Sequence, residues 1–227
     1  MGSASPPSVR TRVRRSPRRA DYEPHTVAGI LDEGLVCHVG IAVDGQPFVL
    51  PMAYGRVGGV LYLHGSTASR TMRIFAADAP VCVTVTLLDG LVLARSAFHH
   101  SMNYRSVVVL GIARPVTGDE QRLTALRAIT EHVVPGRWAE LRPPTGAELK
   151  ATAVGALSLS EASAKIRTGP PIDDDADLGA DLWAGTVPLR LQAGRPQADE
   201  HVPPGTGLPR ALAADPRCRS PQEEPQS

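Results

Sequence analysis

The chain has 227 residues, 42% of them hydrophobic and 21% charged, with net charge +1, 21 Gly, 21 Pro and three Cys. With no apolar run near 18 residues and too few cysteines for a disulfide scaffold, these numbers exclude a membrane-spanning helix and a small disulfide-stapled fold. A core is affordable at this size, since a domain of 150–200 residues buries about 70% of its extended surface.

Residues 1–20 hold six Arg, three Pro, no acid and almost nothing apolar. They are expected as a disordered Arg-rich tail, with nucleic acid or acidic lipid as conceivable contacts; the absence of aromatics before Tyr22 and a chain that is not otherwise basic weigh against both. From residue 191 the composition returns to Pro, Gly, Gln and acid, so 191–227 is expected as a second disordered tail and 21–190 as the folded unit. The basic start is not followed by an apolar signal core, and Cys37 and Cys82 sit within apolar runs; a reducing, cytoplasmic setting is expected.

Within the unit, short β-branched runs at 35–43, 48–54, 60–64, 81–88, 91–95, 106–113 and 154–159 predict seven strands. Asp44-Gly45, Gly58-Gly59 and Asp89-Gly90 supply turn chemistry between them, so antiparallel hairpins follow. Three stretches read as helix: 26–33, 67–77 and 119–133, the last with Leu123, Leu126, Ile129 and Val133 at helical spacing. Short strands with tight turns and few helices predict a mainly β protein, a closed or nearly closed antiparallel barrel.

Chemistry concentrates where the third strand gives way to a helix, at Val60 to Arg73. Ser66 is a natural N-cap there, and Ser69, Arg70 and Arg73 add hydroxyls and guanidinium groups beside the free amides of a helix start, which suits a phosphate dianion. A capped surface helix with solvated Arg is the competing reading. Pro51 removes a ladder donor from its strand, which predicts an edge or a break in pairing beside a planar ligand. None of His38, His64, His99 and His100 forms a metal-binding pattern with a carboxylate or paired Cys, so no metal is expected.

The order of these pieces resembles the pyridoxamine 5′-phosphate oxidase-like family, the FMN-binding split barrels, and especially its flavin-nucleotide-binding branch. The matching pieces are His38-Val-Gly40, Asp44-Gly45, Leu50-Pro-Met52, Tyr62-Leu-His-Gly-Ser66, Ser69-Arg70, Cys82 to Thr86, Asp89-Gly-Leu91, Ser96 to Ser106, and Trp183-Ala-Gly185 with Pro188-Leu189. The resemblance spans about residues 20–190. It implies a six-stranded antiparallel split barrel, a homodimer, and FMN in a cleft between protomers. Leu50, Pro51 and Met52 fall where a strand borders the flavin ring, and Gly65, Ser66, Ser69 and Arg70 fall where its phosphate is held. Arg105 and Ser106 match a strand start that carries an Arg-Gln pair in the oxidases, and Ser at 106 shortens that reach. Thr71 stands where a basic residue often follows the motif Arg.

Trp183 is placed to cover the ring from the partner chain, or else to fill a core or interface. His64 matches a conspicuous His of the nitroimidazole-resistance branch and is the candidate catalytic proton donor, with a backbone-bonded structural role as the alternative. The resemblance thus points to an FMN-dependent oxidoreductase acting on a small molecule, conceivably a nitroaromatic or quinone, with NAD(P)H as electron donor and neither nucleic acid nor membrane as partner. A non-catalytic carrier of flavin, deazaflavin or haem is the alternative, with His64, His99 or His100 as axial ligand. Val187-Pro-Leu-Arg190 only distantly matches the oxidases' C-terminal ending, which argues against authentic pyridoxamine phosphate oxidation.

Overall fold

The computed structural model describes residues 4–218. In chain order it comprises β1 (Ala20–Asp21), α1 (Pro24–Glu33), β2 (Cys37–Val43), β3 (Gln46–Met52), β4 (Tyr54–Val57), β5 (Val60–Ser66), α2 (Arg70–Ala76), β6 (Pro80–Leu93), β7 (Ser101–Ile112), β8 (Arg114–Pro115), α3 (Asp119–Val133), α4 (Gly146–Ala151), β9 (Thr152–Ser158), β10 (Ala162–Arg167), β11 (Gly185–Pro188) and α5 (Arg210–Ala214). All pairing is antiparallel. One sheet runs β1-β10-β7-β6-β2-β3 with β11 added alongside β6, and the other runs β4-β5-β9-β8. The protein is therefore mainly β and of split-barrel type, with two open sheets and more strands than the six expected.

Hairpin chemistry places the first sheet's edge. Asp44 (φ +50°) and Gly45 (φ +79°) take the left-handed conformations that a two-residue turn between β2 and β3 requires. Pro51 lies on β3, the last strand of its sheet, where a missing amide breaks no ladder. The expected strand 48–54 divides at Ala53, because β3 belongs to the first sheet and β4 opens the second. Tyr54, first in β4, is fully buried, and its hydroxyl lies 2.6 Å from Leu31 O and 2.7 Å from Gly34 O. These carbonyls belong to the C-terminal end of α1, which lacks intrahelical partners for them. His132 of α3 stacks on the same tyrosine, with centroids 4.4 Å apart, and its Nε2 donates to Gly34 O at 2.6 Å. A single cluster thus ties α1, α3 and β4 together.

Two glycines are required by close approach rather than by φ. A Cβ on Gly55 would stand 2.5 Å from the backbone of Ala128, because α3 lies directly on β4. One on Gly155 would stand 2.3 Å from the Phe75 ring, which carries α2 on the opposite face of the same sheet. One apolar core spans both sheets, from Val27, Ile30 and Leu31 of α1 through Val39, Val83 and Val107 to Leu61, Leu63, Phe75 and Leu157.

Several expectations need correction. Asp89-Gly90 does not turn the chain: β6 runs on through it, with a register shift between Leu88 and Gly90. Asp89 binds Arg105, and the bare Gly90 lets β11 approach so closely that a Cβ there would lie 2.9 Å from Val187 O. The strands β1, β8, β10 and β11 carried no strong alternating signal; the first two and β11 span only two to four residues. Residues 4–20, expected as a disordered tail, form a loop bound to the body, with Thr11 only 4% exposed and Ser8 Oγ donating to Glu161 at 2.6 Å. Past residue 191, α5 docks through Ala211 N–H on Glu140, and Arg217 reaches Val133 O. The end of the second expected tail, 219–227, lies outside the described residues.

Replacing Tyr54 by Phe is expected to lower stability by about 1–3 kcal/mol, since two buried carbonyls lose a donor. Gly55→Ala is expected to cost a similar or larger amount, because backbone rather than a side-chain tip is in the way. Urea denaturation of the two variants measures both.

Candidate functional site

β5 carries the site to its position. Leu61 and Leu63 point into the core and are fully buried, so Tyr62 and His64 lie on the opposite face, where the cross-strand partner of His64 is Val154. His64 is half-buried, and its Nδ1 is sealed from solvent with no hydrogen-bond partner. Burial pushes its pKa below the ordinary 6.5, so the imidazole is neutral at pH 7.

The strand then breaks into a turn before α2. Ser66 was expected to cap the helix; the cap is Ser69, whose Oγ accepts from Met72 N at 3.2 Å. The three-residue turn explains the shift: Ser69 N–H donates to Ser66 O at 2.9 Å, while Ser66 Oγ accepts from Ala68 N at 3.2 Å. Both hydroxyls accept one bond, and each keeps its own proton to donate. A Cβ on Gly65 would lie 3.4 Å from Ser69 Oγ and from Met72 Cγ, an ordinary contact distance, so the turn runs close to the helix without requiring glycine.

Arg70 crosses from this turn to the other sheet. Its guanidinium carbon sits 4.2 Å from the centroid of Phe48 on β3, a cation–π contact, and no carboxylate pairs with it among the described residues. Phe48 is a site residue that the sequence did not reveal, because 22 positions separate it from Arg70 and neither periodicity nor motif links them. On β3, Leu50 and Met52 are half-buried against the core, and Pro51 is exposed. The structure therefore brings Gly65, Ser66, Ser69 and Arg70 together, with Arg70 lying over the edge strand that contains Leu50, Pro51 and Met52. Hydroxyl protons, an unpaired guanidinium and a free strand edge can bind an anionic group beside a flat apolar one.

Arg105 and Ser106 are engaged elsewhere. The Arg105 guanidinium is bound by two carboxylates: Nη1 and Nη2 contact Glu33, the latter at 2.7 Å, while Nε and Nη2 contact Asp89 at 3.0 and 2.7 Å. Four hydrogen bonds leave this cation little to offer a phosphate, and Ser106 Oγ donates to Lys165 O at 3.3 Å. Trp183 is 68% exposed and lies against Gly185 just ahead of β11. His99 pairs with Asp174 at 3.2 Å and His100 Nδ1 with Ser96 O at 2.8 Å. A cavity of about 500 Å³ lies apart from the turn, between α3 and β4, lined by Asp32, Arg56, Arg127, Glu131 and His132 among others.

Comparison with known proteins adds an independent line. A family model described as pyridoxamine 5′-phosphate oxidase matches residues 23–166. The flavocytochrome Anf3 from Azotobacter vinelandii is 41% identical over 92% of this chain and 98% of its own, with a TM-score of 0.88. The FAD and heme binding protein from Mycobacterium smegmatis is 40% identical over 86% of this chain and 96% of its own, with a TM-score of 0.82. A candidate 5-nitroimidazole antibiotic resistance protein from Bacteroides thetaiotaomicron, at 22% identity over 65% of this chain and 86% of its own with a TM-score of 0.55, shares the fold alone. The comparison with curated proteins gives no match.

The Glu33–Arg105 contact makes a pH-dependent contribution. Hydrogen bonding from Arg105 holds the Glu33 carboxyl below its ordinary 4.5. A carboxyl group whose pKa is lowered by folding adds its stability in full above the unfolded value and loses it as pH falls through the folded one. Glu33→Gln is expected to melt below the native protein above about pH 5 and to converge with it as pH falls below the ordinary carboxylate range. With the Glu33 side chain 55% exposed, the difference should be about 1 kcal/mol or less; thermal melts across this pH range measure it.

Proposed function

The chain belongs to the pyridoxamine 5′-phosphate oxidase family, and from that membership we propose that it is a redox protein that binds a flavin and a haem. The observation that carries the reading is that one strand, β5, presents a neutral, unpartnered imidazole at His64 and leads directly into the Ser66–Arg70 turn, where a guanidinium is free of carboxylates. The two relatives of about 40% identity are described as a flavocytochrome and as an FAD and heme binding protein, which supports a flavin and a haem together. The resemblance in the sequence favours FMN, whereas the 40%-identical relative is described as binding FAD, so the flavin proposed is FAD.

The residues fit such ligands chemically. Ser66, Ser69 and Arg70 would hold a flavin phosphate, with Phe48 fixing the Arg70 guanidinium in place. Leu50, Pro51 and Met52 offer the ring an edge with no competing strand. A bound flavin supplies hydride or single-electron transfer, and haem iron supplies one-electron chemistry. In this reading His64 would hold the haem iron, since burial keeps it neutral and it has no partner, whereas His100 and His132 are each bonded to a backbone oxygen; His99 Nε2 has no hydrogen bond either but lies within ion-pair distance of Asp174. This assigns His64 a ligand's role in preference to the proton donor's.

A homodimer is part of the proposal, with Trp183 of one protomer placed over the flavin of the other; its exposure, together with that of Leu182 and Val187 beside it, supports this. NAD(P)H as reductant, a small-molecule acceptor and a reducing cytoplasm complete the reading, the last supported by free Cys37, Cys82 and Cys218.

Extraction of the purified protein is expected to release FAD, distinguished from FMN by mass, and to leave a haem Soret band in the spectrum. A protein that shows no change in flavin fluorescence or absorbance when saturated with FAD or FMN would overturn the flavin assignment. Ser69→Ala with Arg70→Ala should weaken flavin binding roughly 10- to 100-fold through loss of charge-assisted donors. His64→Ala should abolish the native Soret position, and added imidazole should restore it; an unchanged Soret band would place the axial ligand elsewhere.

A further inference from the structure

The Arg-rich segment at the start of the chain is not consumed by the flavin and haem reading, and its structure is specific. Residues 8–22 form a closed loop. Its base is pinned where Ser8 and Arg10 both bind Glu161, just ahead of β10, and where Val13 N–H donates to Tyr22 Oη at 2.8 Å. Ser16 takes the left-handed conformation at the reversal (φ +54°), Pro17 starts a short 3₁₀ turn, and β1 then joins β10 with Ala20 opposite Lys165. Thr11 is buried and bonds back to Ser8 O.

Among the described residues, only Arg10 of the six arginines pairs with a carboxylate. Arg12, Arg14, Arg15 and Arg18 are exposed, and neither they nor Arg19 meet an acid among the described residues. Residues 21–227 carry 18 basic against 23 acidic side chains, a net of −5, so the +6 of residues 1–20 stands against a body of opposite sign. Gathering unpaired like charges on an ordered loop is unfavourable by itself, and the pKa of neighbouring Arg167 is lowered by burial first and by Arg19 second. An arrangement of this kind is stabilised by an external polyanion.

We propose that this loop is a docking surface for the acidic face of a small electron-carrier protein; the electron-carrier class rests on the redox reading above, and the acidic surface rests on the charges alone. Guanidinium forks held on a fixed backbone match carboxylates bidentately. The first twenty residues contain no aromatic side chain on which a base could stack, and Val9 is the one large apolar residue of 4–20 exposed for insertion into lipid. These features weigh against single-stranded nucleic acid and a membrane, and a duplex, which is bound through its phosphates, is left to the experiment. Such charge complementarity acts chiefly on the association rate and weakens with salt.

The test uses the full chain and a plant-type ferredoxin as an acidic probe, with association followed by surface plasmon resonance at low and physiological salt. The native protein is expected to bind with an association rate that falls by about tenfold or more as salt rises. The variant R12E/R14E/R15E/R18E should lose at least about tenfold in that rate at low salt, whereas replacement of the same four by Lys should retain most of it. Absence of salt-dependent binding, equal loss in the Lys variant, or tighter binding to a 20-base-pair DNA duplex or to phosphatidylserine vesicles than to ferredoxin would overturn the proposal. Flavin and haem absorbance, measured on every variant, separates the two readings: cofactor-free protein that still binds ferredoxin through the loop refutes the redox assignment and retains the acidic docking surface.

Discussion

The joint at Tyr54 is the constraint on which the rest of the architecture depends. The chain must leave the first sheet at the end of β3 and enter the second at β4, and at that step it exposes the carbonyls that end α1 to a dry interior. A single phenol hydroxyl serves Leu31 O and Gly34 O, and His132 adds a second donor to Gly34 O. Burial pushes the Tyr54 hydroxyl's pKa well above its ordinary value, so it remains protonated and able to donate. Because a carbonyl only accepts, His132 must carry its proton on Nε2, and its pKa is lowered chiefly by burial. Helices α1 and α3 are thereby held on either side of the point where the sheets part.

The candidate site is a consequence of that parting. With β3 as the edge of one sheet and β5 in the middle of the other, the turn after β5 comes back over β3, and Arg70 bridges the gap by resting on Phe48. An aromatic face holds a cation in place without neutralising it, so the positive charge remains available. Arg105 illustrates the opposite case. Two carboxylates from α1 and β6 neutralise it and make it a structural tie between the helix and the long hairpin of β6 and β7. Two arginines of equal promise in the sequence thus differ by their neighbours alone.

Charge is segregated in a similar way at the whole-molecule level. The basic residues of the N-terminal loop are kept apart from an acidic body by a few directed bonds at the loop's base, chiefly to Glu161 and Tyr22. The segment has almost no apolar residues to bury. Its order comes instead from hydroxyl, backbone and β1–β10 hydrogen bonds, which leave almost no trace in hydrophobic patterning.

What the sequence by itself determined is whatever local chemistry dictates. The helix at 119–133 has the bounds read from its apolar spacing, Asp44-Gly45 makes the turn that its φ preferences demand, and Pro51 lies on an edge. The clustering of Gly65, Ser66, Ser69 and Arg70 was legible for the same reason, since all four lie within one turn of chain. Only the tertiary structure decided that Asp89-Gly90 continues a strand, that Ser69 rather than Ser66 caps α2, and that Arg105 is neutralised by Glu33, 72 positions away. Those outcomes depend on which side chains and strands meet across the fold, and the energy of a contact between distant residues is written in neither of their local neighbourhoods.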